Sequence, residues 1–152
     1  MRPGPVNIHG TAVVIGTTGL LFVGPSGSGK TMAAMTCLSA ARSRGLFAAL
    51  VADDQVFVSV QGGRLVATRP ESIAGLMELR GTGIASLPSI RRARLDRAVL
   101  PASLSEMERL PDENEQFEVM DGVLLPLIRL PREVPLPLEW LARFVPFLGL
   151  GD

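Results

Sequence analysis

Apolar positions at the start of the chain come in short runs separated by glycine-rich turns, a strand pattern rather than a helical one. Thr11-Ala12-Val13-Val14-Ile15 reads as a strand, Gly16-Thr17-Thr18-Gly19 as its turn, and Leu20-Leu21-Phe22-Val23 as a buried strand returning beside it. Beyond Gly24–Thr31 the spacing changes. Met32, Ala33, Ala34, Met35, Leu38, Ala40 and Ala41 recur at helical intervals, predicting a helix to about Arg44 with Gly45 closing it. Leu46 to Ala52 is apolar without interruption, the pattern of a central strand covered on both faces, and it ends in Asp53-Asp54. Gln55–Val60 and Arg64–Thr68 flank Gly62-Gly63 as a second hairpin.

Pro70-Glu71-Ser72 predicts the start of a short helix carrying Ile73, Leu76, Met77 and Leu79, stopped by Gly81-Thr82-Gly83. From Leu87 the pattern thins. Arg91, Arg92, Arg94 and Arg97 form a solvated face or a patch for an acidic partner. Ala98-Val99-Leu100 reads as a strand end and Leu104–Leu110 as a short helical pattern, while Phe117–Met120 and Val123–Leu125 form a hairpin about Asp121-Gly122. In the proline-punctuated tail, Leu138, Leu141, Phe144 and Val145 mark one face of an amphipathic helix. No repeat, linker or boundary interrupts the chain. The expectation is one α/β domain over residues 1–152, a mixed sheet with β-hairpins and flanking helices.

The junction between the second strand and the first helix carries the chemistry. Gly24-Pro25-Ser26-Gly27-Ser28-Gly29-Lys30-Thr31 fits the phosphate-loop pattern G-x-x-x-x-G-K-[ST] at every fixed position, with a strand before it and a helix after it. Glycines let such a loop wrap so that successive N–H groups point at a phosphate chain, and the helix N-terminus adds its positive dipole end. In that geometry Lys30 reaches the β- and γ-phosphates of a nucleotide and the Thr31 hydroxyl ligates Mg²⁺. A Gly/Ser-rich turn that binds nothing is the plain alternative. Composition argues against it, because Lys30 is the only lysine among fifteen basic residues. A chain that otherwise uses arginine keeps the compact ammonium where a planar guanidinium would not fit a phosphate nest.

Two further features sit near this loop in the pattern. Asp53 and Asp54 lie at the carboxyl end of a buried strand, the edge where α/β sheets bind ligands. Strand alternation turns one toward the phosphates, as a general base or to orient Mg²⁺, and leaves the other to hold structure; as turn chemistry alone an Asp pair is ordinary. His9, the one histidine, lies at the entry to the first hairpin, where a lone histidine is more often structural or solvated than catalytic.

Net charge is zero and the pI about 6.6, so neither nucleic acid nor an anionic membrane is indicated as partner. With no tyrosine and 5% aromatic residues, stacking platforms for single strands are scarce. Cys37 is the single cysteine, set on the helix face as a small buried hydrophobe. Met1-Arg2-Pro3-Gly4-Pro5 leads into no signal-type apolar segment, and no apolar run approaches the ~20 residues that span a bilayer, so a cytoplasmic protein is expected.

Several of these pieces, in this order, resemble HPr kinase/phosphorylase, the bacterial P-loop enzyme that phosphorylates a serine of the phosphocarrier HPr. Ile8-His9-Gly10 ahead of the phosphate loop is similar to that family's entry into its kinase core, and Leu50-Val51-Ala52-Asp53-Asp54 to its acidic motif. Met77-Glu78-Leu79-Arg80-Gly81-Thr82-Gly83-Ile84 is close to its signature, an apolar residue followed by E-[IL]-R-G-x-G-I. The ordered set covers about residues 6 to 86. The resemblance implies the fold of that enzyme's C-terminal domain and Mg²⁺-dependent transfer from ATP to HPr, with dephosphorylation by phosphorolysis as the reverse activity.

By position, the resemblance implies that His9 and Lys30 contact the transferred phosphate and that Thr31 and Glu78 hold Mg²⁺. It implies that Asp53 or Asp54 takes the proton of the incoming serine hydroxyl and that Arg80 serves both activities. Glu108-Arg109-Leu110 is similar to a later arginine-containing segment, making Arg109 a candidate for phosphate stabilisation in dephosphorylation. Leu127-Ile128-Arg129-Leu130-Pro131-Arg132 stands as a remnant of the family's Pro/Arg/Gly-rich loop. The resemblance leads us to expect the short, kinase-core-only form of some proteobacteria, without the family's N-terminal domain, and it implies a homo-oligomer, a hexamer in the family.

Two other owners of GPSGSGKT drop out. A transporter ATPase carries an LSGGQ-type signature and a histidine downstream of the loop, and a guanylate kinase normally uses tyrosines at its base site; this chain has neither. The remaining alternatives are a kinase of the same core with another hydroxyl substrate and a non-catalytic nucleotide sensor.

Overall fold

The computed structural model describes residues 4–145. Met1-Arg2-Pro3, read above for targeting signals, lie outside the described residues. The chain begins with three short strands, β1 (Val6–Ile8), β2 (Thr11–Ile15) and β3 (Thr18–Phe22), and enters helix α1 (Lys30–Ser43). Strands β4 (Ala48–Ala52), β5 (Val56–Gln61), β6 (Arg64–Thr68), β7 (Leu76–Leu79), β8 (Gly83–Ser86), β9 (Arg92–Arg94) and β10 (Arg97–Ala102) follow. The last elements are β11 (Gln116–Met120), β12 (Val123–Pro131) and α2 (Pro137–Ala142).

The larger sheet has the order β11-β12-β10-β3-β2-β4 and is mixed: β10 runs parallel to both β3 and β12, whereas β2 is antiparallel to β3 and β4. β3, β4, β10 and β12 therefore end at one edge, and β2 starts there. A second, antiparallel sheet has the order β1-β5-β6-β9, and β7-β8 form a separate hairpin.

Alternate side chains of the central strands explain the layering. Val13, Ile15, Leu20 and Phe22 face the helices and meet Ala34, Cys37, Leu38 and Ala41 of α1 and Leu138 and Leu141 of α2. Ala12, Val14, Leu21 and Val23 face the other way, onto Val56, Val58, Leu65 and Ala67 of the small sheet. With cover on both faces the central strands need no polar side, which is why their sequences read as unbroken apolar runs. The α/β class, the mixed sheet, the hairpins and α1 are as expected.

Four local expectations are corrected. β4 is an edge strand, not a central one; its outer edge is closed by a short segment in which the Leu50 N–H donates to Pro88 O and the Ile90 N–H to Leu50 O, at 3.0 and 2.9 Å. The faces of β4 are buried in the same two core clusters as the central strands and its edge is closed by that strap, so the apolar run could not reveal the strand's place. The helix expected after Pro70 is a 3-10 turn, Glu71–Ile73, followed by the β7–β8 hairpin. Gly75 breaks it at φ +73°, where a Cβ would also lie 3.2 Å from Ser89 Oγ. The pattern at Leu104–Leu110 yields a single 3-10 turn, Leu104–Glu106. In the tail, Leu138, Leu141 and Val145 are buried but Phe144 points outward, 65% exposed.

Candidate active site

The phosphate loop leaves β3 and enters α1 with Gly24, Gly27 and Gly29 at φ +131°, +79° and +97°, the left-handed conformations its wrap requires. No side chain caps the N-terminus of α1, and its first turn holds no acidic residue. The orphan N–H groups and the positive end of the helix dipole are thus left for an anion. Lys30 is buried and folds back over its own loop, its Nζ donating to Gly24 O at 2.6 Å and Pro25 O at 3.0 Å. Burial lowers its pKa, a shift opposed by the nearby Asp54 and Asp53 carboxylates. Ser28 Oγ, buried inside the loop, finds no hydrogen-bond partner among the described residues.

β4 delivers the two aspartates to the same edge with opposite surroundings. Asp53 is 6% exposed. Its Oδ1 accepts from Thr11 Oγ1 at 2.8 Å and from Thr31 Oγ1 at 2.9 Å, and its Oδ2 from the Glu78 N–H at 3.3 Å. Asp54 is exposed, and its Oδ1 lies 2.7 Å from His9 Nε2. A carboxylate can only accept, so the imidazole donates through Nε2. The Asp54 backbone has φ +74°, and the Gln55 N–H donates to Asp53 O at 2.9 Å across it, a tight γ-turn that splays the two carboxylates. His9 is brought close by Gly10, where a Cβ would sit 2.7 Å from Phe22 O.

The β7–β8 hairpin supplies the facing wall. Met77, 1% exposed, anchors it in the core beside α1, so alternation turns Glu78 outward toward the loop. Arg80 stands at the hairpin turn, its Nη1 3.9 Å from where a Cβ on Gly27 would be. Together these elements enclose a cleft of about 370 Å³ lined by His9, Lys30, Thr31, Asp53, Asp54, Glu78 and Arg80 among others. Arg109 is the predicted residue that the fold does not bring here: it is exposed in the segment between β10 and β11 and does not line the cleft.

Two further residues stand here without an individual role in the sequence reading, although Arg132 ends the segment that resembles the family's Pro/Arg/Gly-rich loop. Arg132, past the end of β12, lays its stem over the loop, its Cδ 3.3 Å from where a Cβ on Gly29 would be and its Nη1 3.4 Å from Gly27 O. Thr11 is the one polar residue of β2 and is buried like the rest of the strand, which its place after His9-Gly10 does not signal.

The residues fit a nucleotide phosphate chain, since the helix start is uncapped and unopposed by acid and the orphaned Ser28 hydroxyl lies within the loop. For a divalent cation the donors are fewer. Among the described residues no group of three or more His, Cys, Asp or Glu side chains could hold a metal. Thr31, Glu78 and Asp53 suit the Mg²⁺ habit of one or two carboxylates completed by phosphate oxygens and water. Among the described residues no helix is long and apolar enough to cross a membrane.

Comparison with known proteins bears on the family and the fold. An HPr kinase/phosphorylase of Brevibacillus brevis is 33% identical over 135 residues, 82% of this chain and 41% of its own length. One of Chlorobium chlorochromatii is 35% identical over 135 residues, 81% of this chain and 38% of its own. The chain spans about two fifths of the length of these curated relatives. The structure of the Hpr(Ser) kinase/phosphatase from Coxiella burnetii is similar with a TM-score of 0.72 at 23% identity, covering 91% of this chain and 89% of that one, a likeness of fold. The family described as HPr Serine kinase C-terminal domain matches residues 4–93, a stretch that contains His9, the phosphate loop, the aspartate pair and the Glu78–Arg80 hairpin. The chain belongs to the HPr serine kinase C-terminal domain family.

Proposed function

We propose that this protein is an ATP-dependent kinase that phosphorylates a serine hydroxyl of the phosphocarrier protein HPr, working with Mg²⁺ in the cytoplasm. The observation that carries the reading is the division of labour between the aspartates beside the phosphate loop. One carboxylate is buried and saturated by hydroxyl donors, and the other is open and paired with His9 at 2.7 Å. A nucleotide sensor has no use for an exposed carboxylate–imidazole pair next to its phosphates. A phosphotransferase does, because the incoming alcohol must be oriented and relieved of its proton.

Asp54 is the proton acceptor in this reading, with His9 fixing its orientation and standing beside the transferred group. Lys30 would leave its loop carbonyls for the β- and γ-phosphate oxygens, and Arg80 would reach over the loop from the hairpin. Thr31 and Glu78 would hold Mg²⁺, which when bound neutralises charge on the phosphate oxygens. Positioning supplies the rest, since in-line transfer asks little covalent chemistry of the protein. Exposed Met32 and Ile84, 76% and 72% accessible, stand at the loop helix and the hairpin, a rim suited to a protein substrate. The reverse phosphorolysis and a homo-oligomeric assembly belong to the same proposal.

The test is incubation of purified protein with Mg²⁺, γ-labelled ATP and HPr, followed by mapping of the label. Label on a serine of HPr is expected. Nucleotide binding without transfer to HPr would favour the sensor or a kinase with a different hydroxyl substrate.

A further inference from the structure

We propose that Thr11 is a positioning residue of this site. Its hydroxyl, with that of Thr31, locks the Asp53 carboxylate so that the Thr31 oxygen presents its lone pairs to a cation. The inference rests on the nucleotide–Mg²⁺ reading above and adds to it a residue that acts through Asp53 and Thr31.

Thr11 opens β2, opposite Phe22 at the end of the phosphate-loop strand, and is 1% exposed. A hydroxyl so buried needs a partner, and it has one in Asp53 Oδ1 at 2.8 Å. Thr31 donates to that same oxygen at 2.9 Å. Asp53 makes no ion pair within 4 Å among the described residues; its hydrogen-bond donors there are these two hydroxyls and the Glu78 N–H, with the Lys30 ammonium further off. The three donors come from β2, α1 and β7, and together they tie down the carboxylate plane.

The consequence falls on Thr31. A hydroxyl has one proton and two lone pairs. With its proton committed to Asp53, Thr31 can offer only lone pairs to the cleft, and the hydrogen bond to a carboxylate makes that oxygen a better donor to a cation. Without Thr11, Oδ1 keeps only the Thr31 donor and the carboxylate is held less firmly, so the Thr31 O–H that follows it loses its fixed direction. His9-Gly10-Thr11 thus acts as one unit: His9 reaches Asp54, Gly10 permits the close approach to Phe22, and Thr11 reaches Asp53.

The experiment measures binding of N-methylanthraniloyl-ATP to the full chain as Mg²⁺ is titrated, for wild type, Thr11→Val, Thr11→Ala and Thr11→Ser. Valine keeps the shape and removes the hydroxyl. Thr11→Val and Thr11→Ala are expected to need about tenfold more Mg²⁺ for half-maximal effect, the scale of losing a partner that orients a metal ligand. Binding in EDTA should be unchanged, and Thr11→Ser should recover wild-type behaviour. A folded Thr11→Val or Thr11→Ala with the wild-type Mg²⁺ response overturns the inference, as does Thr11→Ser failing like Thr11→Val. An equal loss with and without Mg²⁺ also overturns it, showing a merely structural role. A wild type whose nucleotide binding ignores Mg²⁺ overturns this inference and the functional reading together, whereas a Mg²⁺-sensitive wild type with unaffected variants removes only the role of Thr11.

Discussion

Asp53 and Asp54 are consecutive residues whose carboxylates serve separate partners: Thr11 and Thr31 donate to Asp53 at 2.8 and 2.9 Å, and His9 meets Asp54 at 2.7 Å. Their roles in transfer should separate accordingly. Asp54→Asn is expected to cut the transfer rate by about 10²–10⁴-fold while leaving nucleotide affinity unchanged. Asp53→Asn, which places an amide where two hydroxyls donate, should instead cost about 1–3 kcal/mol of stability. Rates with labelled ATP and urea melts of both variants distinguish the two, and a wild-type rate in Asp54→Asn would remove it as the base.

The positive φ of Asp54, +74°, adds a test on the backbone alone. A Cβ in the left-handed region costs about 1–2 kcal/mol relative to glycine. Asp54→Gly should therefore be more stable than Asp54→Ala by about that amount, although both lose the carboxylate. Equal melting temperatures would argue against the turn.

Burial holds the Lys30 pKa below its ordinary 10.5. The folded chain therefore binds this proton less tightly than the unfolded chain. The charged ammonium costs stability below the lowered value, and the cost fades as pH rises from there toward 10.5. Apo Lys30→Met should be at least as stable as wild type at pH 7 (roughly neutral), with the margin closing in alkali. Denaturant midpoints across pH check the sign, and ATP should raise the melting temperature of wild type but not of the variant.

Cys37 sits fully buried under α1, where burial pushes its thiol up to about 12. Native protein should resist Ellman's reagent at mildly alkaline pH and react fully once unfolded in urea. Fast labelling of the native state would show that α1 is not seated on the sheet.

Arg80 stands over the phosphate loop and Arg109 does not. Arg80→Ala should lower forward transfer by about 10²–10³-fold, the scale of losing one group that stabilises developing charge. Arg109→Ala should leave the forward rate intact. A selective loss of phosphate-dependent dephosphorylation in Arg109→Ala would support its proposed role in the reverse step, and equal losses in both directions would refute that role.

What the sequence reveals here tracks how local the deciding physics is. The hairpins at Gly62-Gly63 and Asp121-Gly122 and the helix after the phosphate loop were readable because turn chemistry and periodicity act within a few residues. The β7–β8 hairpin was not. Ile73, Leu76 and Met77 carry helical spacing, and the left-handed Gly75 together with the seating of Met77 against α1 selects strand alternation instead. The edge position of β4 was hidden for a related reason, because a strap at Pro88–Ile90 covers it as well as a neighbouring strand would. Short resemblances mark both Arg109 and the segment ending in Arg132, yet of the two arginines it is Arg132 that reaches the loop, because β12 lies beside β10 in the sheet.

The chain by itself determined the candidate phosphate cradle, since a glycine-rich turn, one lysine and a helix start come together within eight consecutive residues, Gly24 to Thr31. Tertiary structure decided which aspartate is sealed and which is open, and that Thr11 and His9 serve them. Those contacts join residues 42 and 45 positions apart. They exist because β2 lies between β3 and β4, so the chemistry beside the cradle follows from strand order, which no local pattern encodes.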